Sequence, residues 1–374
     1  MSATATEAGE VLAAVAAYGL PGAGLELPRR PLDDRDWRRL MVDVGRQRIS
    51  GLLVQAIDHG DFAASAEQAD AAEAAHTAAM HVVLRLERLL VDVAGRLEEA
   101  GIDCRALKGS AAAHLDYPNP ALRCFGDIDV LVRSDDYDAA VGLLRDAGST
   151  ARYDEPRPGF GRRFGKGAEL VTPEGLEIDL HRTFVSGPFG LSVVLDDLFA
   201  SGTPFEVGGR RLLALTSEQR FLHACFHAAL GARPARLQPL RDIAQLALFG
   251  RLDVDRVFGL TAAWKVPAVL AAGVRLAWER FAIGDVTPLS AWAHGFEPDA
   301  RERASLAAYM DTGFASYPAQ AAAALRAIPG WVDRAAYLRA MAMPDRSYLQ
   351  ARDGGYLRRL ARGARHLARR PGTR

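Results

Sequence analysis

Between Asp33 and Ile57, apolar residues recur at helical spacing, with Trp37, Leu40, Met41 and Val44 on one face and a break near Ser50-Gly51. A longer Ala- and Leu-rich stretch, residues 71–101, predicts one helix whose core candidates are Leu84, Leu86, Leu89, Leu90 and Val93, with Gly101 as its stop. The period then changes. Ile102 to Leu107 reads as a short strand, Ala111 to Leu115 opens a helix, and Gly126-Asp127-Ile128-Asp129-Val130-Leu131-Val132 alternates as a strand does. Ser134 is the candidate N-cap of a helix running to about Ala147, with Asp135 and Asp136 in its first turn and Gly148 after it. Glu169 to Thr172 and Leu176 to Thr183 form a hairpin pattern around the turn Pro173-Glu174-Gly175. Helical spacing resumes at Thr216, which forms a capping-box pattern with Gln219. The first thirty residues, rich in Ala, Gly and Pro, predict a poorly ordered start.

The order of elements is that of an α+β protein. It divides into a helical region over residues 1–100, a mixed core over 101–205, and a helical domain over 206–374 that ends in a basic tail. At 374 residues, the chain is long enough for two or three domains. Hydrophobic residues at 49% and charged residues at 25% fit a globular protein and exclude wholesale disorder. A formal net charge of +0 argues against a surface that grips nucleic acid everywhere, while leaving room for a local basic cleft. Cys104, Cys124 and Cys225 are scattered and odd in number, matching neither a disulfide framework nor a zinc pattern. No apolar run approaches the length of a membrane span, and Met1 to Glu10 lacks the layout of a secretory signal. The expected location is the cytoplasm. Lysine occurs only at 108, 166 and 265, against many arginines, a bias of GC-rich bacterial coding.

Chemistry concentrates in the mixed core. On a strand, Asp127 and Asp129 project from one face while Ile128 and Val130 point into a core, so two carboxylates share a small volume. A hard divalent cation with oxygen ligands stabilises such a pair; Mg²⁺ is the expected ion, with Mn²⁺ as a substitute. Before it, Lys108-Gly109-Ser110 stands at a strand-to-helix turn, where backbone N–H groups, an ammonium and a hydroxyl suit a phosphate. In the later hairpin, Glu177, Asp179 and His181 lie on one strand face and Ile178 and Leu180 on the other. A phosphate cradle beside carboxylates is the constellation of metal-assisted phosphoryl or nucleotidyl transfer.

These motifs resemble those of the uncharacterised bacterial nucleotidyltransferases of the polymerase-β-like superfamily. The resemblance rests on Leu107-Lys108-Gly109-Ser110, Tyr117 with Pro118 and Pro120, Leu122-Arg123, Gly126 to Val132, and Glu177-Ile178-Asp179-Leu180-His181, and covers roughly residues 30 to 250. It implies a polymerase-β-like core, a small mixed sheet with helices. It also implies transfer of a nucleoside monophosphate from an NTP to an acceptor with loss of pyrophosphate. By the same resemblance, Lys108, Gly109 and Ser110 meet the nucleotide phosphates and Asp127 and Asp129 hold metal. Asp179, two residues before His181, is then the third carboxylate, with Glu177 as the alternative. Arg123 is expected to offset developing charge. A Lys immediately before Gly109-Ser110 departs from the wider superfamily. The acceptor is not encoded in any motif: a small molecule, a natural-product peptide, a protein or a tRNA all remain open.

Each motif alone has a plainer reading. Asp-x-Asp is commonly a solvated strand face, Lys-Gly-Ser an ordinary turn, and the basic stretch Arg157, Arg162, Arg163 and Lys166 a solvated loop. His223 and His227 share a helix face without a third ligand in view, so they are assigned to the cleft or the core rather than to zinc, and Arg241-Asp242 to the same cleft. Six arginines between Tyr356 and Arg374 form a basic amphipathic tail that suits an acidic surface or nucleic acid. A rival class of function is a non-catalytic module that binds a nucleotide or a partner with the same fold. A missing or misaligned third carboxylate would favour it.

Overall fold

The computed structural model describes residues 3–231, 234–284, 287–310 and 316–353. The basic tail lies outside them. The chain begins with α1 (Ala3–Ala17), α2 (Asp34–Gln47), α3 (Ser50–Asp58) and the long α4 (Ala66–Glu99). Next come β1 (Cys104–Ala106), α5 (Lys108–Asp116), β2 (Ile128–Val132), α6 (Tyr137–Asp146), β3 (Thr150–Ala151) and α7 (Phe160–Phe164). The hairpin β4 (Gly167–Val171) and β5 (Glu177–His181), short helices α8 (Pro188–Ser192) and α9 (Asp197–Ala200), and the hairpin β6 (Thr203–Val207) and β7 (Arg210–Ala214) follow. Helices make up the rest, beginning with α10 (Ser217–Leu230), α11 (Leu237–Phe249), α12 (Val254–Ala263) and α13 (Pro267–Phe281). The last five are α14 (Pro288–Gly295), α15 (Ala300–Met310), α16 (Ser316–Ala327), α17 (Trp331–Ala342) and α18 (Arg346–Asp353).

The strands form one mixed sheet in the order β3-β4-β5-β2-β1-β7-β6. Period-two alternation assigns its faces. Ile128, Val130 and Val132 of β2 join Ile178 and Leu180 of β5 in a core closed by Val83, Leu86, Leu90 and Val93 of α4 and by Tyr137 and Leu144 of α6. Leu131, on the other face, belongs to a second core built from α1–α3, α10, α11 and α13. Burial of each large aliphatic or aromatic side chain in these cores stabilises by about 1.5–3 kcal/mol. The polar residues of β2 and β5 therefore face a seam between the sheet and the C-terminal helices.

Several local expectations are corrected. From Leu12 onward the opening segment is packed rather than poorly ordered: α1 buries Ala13, Val15 and Ala16 completely, and Gly24 N–H donates to the Ala282 carbonyl at 3.0 Å. Leu84 is exposed because α4 turns Leu86 and Leu90 inward instead. The helix α4 starts earlier than the Leu pattern implied, at a Ser65–Gln68 capping box. Ser134 does not cap α6; Asp136 occupies that position, and the Ser134 hydroxyl accepts from Arg182 at 3.5 Å. Arg241 is buried away from the cleft, donating to the Ala16 and Tyr18 carbonyls at 3.0 and 2.5 Å. The Thr216–Gln219 capping box, the β4–β5 hairpin and the break between α2 and α3 stand as the pattern predicts. No described helix is long and apolar enough to cross a membrane.

Candidate active site

The parallel ladder between β2 and β5 puts Asp129 opposite Asp179 and Leu131 opposite His181. Neighbouring strands lie about 4.8 Å apart, so side chains in register on one face meet directly. Ligand atoms of Asp129, Asp179 and His181 lie within 4.8 Å of one another. His181 Nε2 approaches Asp129 Oδ1 at 2.8 Å and Asp179 Oδ2 at 3.0 Å, and its Nδ1 meets the Thr183 carbonyl at 3.2 Å. His181 thus stands among the carboxylates rather than merely beside them.

Two ammonium groups close the arrangement. Lys108 Nζ reaches Asp129 Oδ1 at 2.6 Å, and Lys166 Nζ reaches Asp179 Oδ2 at 2.5 Å. Burial alone would pull the Lys108 ammonium down, but Asp129 and Asp179 override it and its pKa rises. Burial pushes the Asp129 carboxyl up, yet Lys108 and His181 together hold it well below the usual range. Asp179 is likewise held low against burial, by His181 and Lys166. His181 is raised, because Asp179 and Asp129 outweigh burial and the Lys166 charge. Asp129 and Asp179 are therefore held as carboxylates. One atom of this cluster has no partner among the described residues: Asp179 Oδ1 is buried and makes no hydrogen bond to them.

The turn that carries Lys108 is strained. Lys108 has φ 29° and Gly109 φ 26°, a region that a side-chain-bearing residue such as Lys rarely adopts. The strain is held from two sides. Leu107 N–H donates to the Asp129 carbonyl at 2.9 Å, and Arg123 Nη1 donates to the Gly109 carbonyl at 3.0 Å. Arg123 in turn forms a buried fork with Asp242, at 2.8 Å from Nε and 2.7 Å from Nη2, while the Tyr117 hydroxyl donates to the same carboxylate at 2.8 Å. Arg123 and Asp242 thus support the turn. Ser110 points elsewhere, donating to Glu87 of α4 at 3.1 Å, an acceptor shared with His114 at 2.7 Å.

A cavity of about 250 Å³ opens on this centre, lined by Lys108, Gly109, Asp127, Asp129, Lys166 and Asp179 and, from the helices, by Arg48, Arg236 and His227. Asp127 precedes β2 rather than lying in it, and its carboxylate accepts from Arg48 Nη1 at 3.1 Å instead of joining the Asp129 cluster. Gly126 makes this possible, since a Cβ there would stand 2.5 Å from the Arg48 guanidinium. Glu177 is turned outward to Arg152 at 2.5 Å. His223 stacks on Phe184 with centroids 4.4 Å apart and meets His181 edge-on at 6.2 Å. Burial, then the Lys108 and His181 charges, push His223 well below the ordinary histidine range. Burial and Lys108 likewise push His227 down to about 3. Neither joins a metal-ligand cluster among the described residues.

Residues 33–282, more than half of the chain, match the model of a family described as an uncharacterised nucleotidyltransferase. The chain belongs to this family. Nucleotidyltransferase membership brings an NTP substrate with it, while the family's description leaves the acceptor open. Among solved structures, the chain is similar to the antibiotic-resistance factor ANT(2'')-Ia, at 13% identity and a TM-score of 0.32, over 48% of this chain and 90% of that one. It is also similar to an antigenic nucleotidyltransferase-like protein from Paracoccidioides brasiliensis, at 15% identity and a TM-score of 0.30, over 48% of this chain and 92% of that one. No curated protein matches the chain.

Sequence reasoning missed Lys166 and Arg48 as lining residues and gave His181 only a place on the strand face beside Asp179. A signal for Lys166 was present in composition, since lysine is rare here and two of the three lysines reach the site. Nothing local pointed to Arg48, which arrives from the end of α2.

Proposed function

We propose that this nucleotidyltransferase moves a nucleoside monophosphate from an NTP to an acceptor, releasing pyrophosphate, with Mg²⁺ or Mn²⁺ held by Asp129 and Asp179 and by Asp127 once its carboxylate exchanges Arg48 for the ion. The observation that carries the reading is the in-register pairing of Asp129 with Asp179 beside the Lys108-Gly109 turn. The residues fit a small dication: the carboxylates already gather cations, and the buried Asp179 Oδ1 has a lone pair without a partner. When bound, the ion would supply charge stabilisation at the phosphates and lower the pKa of the attacking group.

The chain's own residues do the rest. Lys108, with its backbone fixed by Arg123 and Asp242, would hold the distal phosphates, and Arg48 and Arg236 would neutralise the leaving pyrophosphate from the helical side. The acceptor oxygen attacks the α-phosphorus, the bond to the bridging oxygen breaks, and pyrophosphate departs. Asp179, held below the ordinary carboxylate range, acts as an orienting acceptor for the attacking hydroxyl rather than as a strong base. Ser110 acts at one remove, locking the turn to α4 through Glu87.

The rival reading, a binding module, draws on the same ion pairs, since carboxylates neutralised by Lys108, Lys166 and His181 suit storage of charge as well as turnover. The deciding experiment incubates the protein with each labelled NTP and Mg²⁺ in a lysate of its producer and searches by mass spectrometry for a nucleotide-sized mass gain. Calorimetry supplies the second arm: Mn²⁺ should bind more tightly with NTP present, and Asp127→Asn and Asp129→Asn should weaken it without unfolding. NTP binding with no mass gain would favour the module; equal metal affinity in parent and variants would remove the metal site.

A further inference from the structure

A second cavity, about 710 Å³, lies on the far side of Lys166 and Asp179, which line both spaces. Its walls come from α6, the segment Tyr153–Pro156, the loop before α7, β4 and the start of α18. The basic loop does not make this cavity basic. Arg162 is paired with Asp138 at 3.6 Å, Arg157 with Asp345 at 3.9 Å, and Arg163 with Asp333. Among the lining residues, six carboxylates, at 138, 154, 155, 169, 179 and 345, face two cations, Arg145 and Lys166.

Two of those carboxylates lack a countercharge. Asp154 and Glu155 form no ion pair with any described residue, whereas Glu169 has Arg152 at 3.8 Å. Glu155 is set into the wall rather than trailing from it. A Cβ on Gly161 would lie 2.4 Å from Glu155 Oε1 and 2.8 Å from the Tyr137 hydroxyl, so the bare glycine is what seats the carboxylate there. Burial of Glu155, opposed by backbone N–H groups of residues 159–161, leaves its carboxyl above the ordinary range, as befits an anion without a cation. The rings of Tyr153, Phe160 and Tyr348 add flat apolar surface. Asp179 lines both spaces, and its Oδ1 is buried with no hydrogen bond to a described residue.

We propose that this cavity is the acceptor site and that the acceptor is a small polycationic molecule bearing hydroxyl groups, its ammonium groups held by Asp154 and Glu155 and one hydroxyl presented to Asp179. The inference rests on the nucleotidyl-transfer reading and gives it a substrate class. In the transfer, Asp179 orients the acceptor's O–H, whose proton leaves to solvent as its oxygen bonds the α-phosphorus, and pyrophosphate carries away the electrons of the broken P–O bond.

The test uses two trisaccharides with the same β-1,4 skeleton, the glucosamine trimer and cellotriose, which differ in having an ammonium or a hydroxyl at each C2. Calorimetry on the full chain at low salt should show the glucosamine trimer binding about tenfold or more tightly than cellotriose, the sum of several partly exposed charge pairs. Glu155→Gln and Asp154→Asn should each reduce that preference about threefold, and Gly161→Ala should reduce it by displacing Glu155 with the charge intact. Titration with Mg-ATP and Mg-GTP runs in parallel. Equal binding of the two sugars, or a preference unchanged in all three variants, overturns the proposal. Absence of nucleotide binding with the charge preference intact would instead overturn the transfer reading and leave a cationic-ligand cavity.

Discussion

The Arg123–Asp242 fork offers the sharpest separation of folding from function. Both side chains are nearly excluded from water, at 4% and 10% exposure, and the pair makes two direct N–H···O contacts. Replacing Asp242 by Ala leaves a buried guanidinium without its anion, a loss of about 3–5 kcal/mol. Removing the acceptor for the Tyr117 hydroxyl adds about 1 kcal/mol. Against a typical total stability of about 5–15 kcal/mol, Asp242→Ala should be close to unfolding. The double change Arg123→Met with Asp242→Leu removes both charges at similar volume and should recover at least about 3 kcal/mol of that loss. The Tyr117 term is common to both and cancels in the comparison. Urea unfolding of the parent, the two single variants and the double variant closes the cycle, provided the m-values agree. The double variant has also lost the Arg123 bond to the Gly109 carbonyl, so it should fold and yet bind NTP poorly. A single-variant loss under about 1 kcal/mol, or a double variant no more stable than Asp242→Ala, would refute the energetic argument. Parent-like NTP affinity in the double variant would refute the role of Arg123 in holding the turn.

Asp179→Asn should lower turnover by orders of magnitude with NTP binding kept, while Glu177→Gln, which loses only an exposed partner in Arg152, should be mild; steady-state rates that reverse this order would mean the wrong carboxylate has been assigned. Lys108→Ala should weaken NTP binding far more than NMP binding, and calorimetry showing equal losses for both would detach Lys108 from the distal phosphates. Because His227 is pushed down to about 3 in the folded protein, its contribution is fully present above about pH 6.5 and is lost as pH falls toward that value. At pH 5 the loss is at most about 2 kcal/mol, so His227→Gln should flatten the decline of the urea midpoint between pH 7.5 and 5, and an unchanged decline would contradict it. Deleting residues 1–24 removes the buried Leu12, Val15 and Leu20, worth about 5 kcal/mol or more, and should lower the melting temperature sharply; an unshifted melt would mean that α1 packs without stabilising.

What could be read from sequence was what depends on period. Alternation in β2 and β5 identified the inward Ile128, Val130, Ile178 and Leu180, and hence the polar face carrying Asp129 and Asp179. The paired registers were not readable, because a ladder between strands about fifty residues apart is set by the whole sheet. For the same reason Lys166 looked like part of a basic loop until the β4–β5 hairpin brought it over Asp179. The N-terminal segment misled through composition: Ala-rich helices have little amphipathic signature, and two of the helices that pack on α1 beside α2 and α3, namely α11 and α13, lie beyond any local window. Ser110 was assigned to phosphate by its place in a motif, but its rotamer answers to Glu87, which the motif does not contain.

Lys108, Asp129, His181, Asp179 and Lys166 form an unbroken run of close polar contacts, and that run carries its own exchangeable cations, the two lysines, on tethers. A dication arriving here must displace ammonium groups that cannot diffuse away, so its affinity is set by where those groups can go. Phosphate oxygens are one destination, since a lysine head swings on a flexible stem without leaving the protein. On the proposed reading, loading would be mutual: nucleotide would draw the tethered cations off the carboxylates, leaving them for the metal, and each ligand would tighten the other by the same factor. Without nucleotide, such a centre would act as an ion exchanger already saturated with its own side chains, which would keep a highly charged pair of carboxylates from scavenging metal in idle periods.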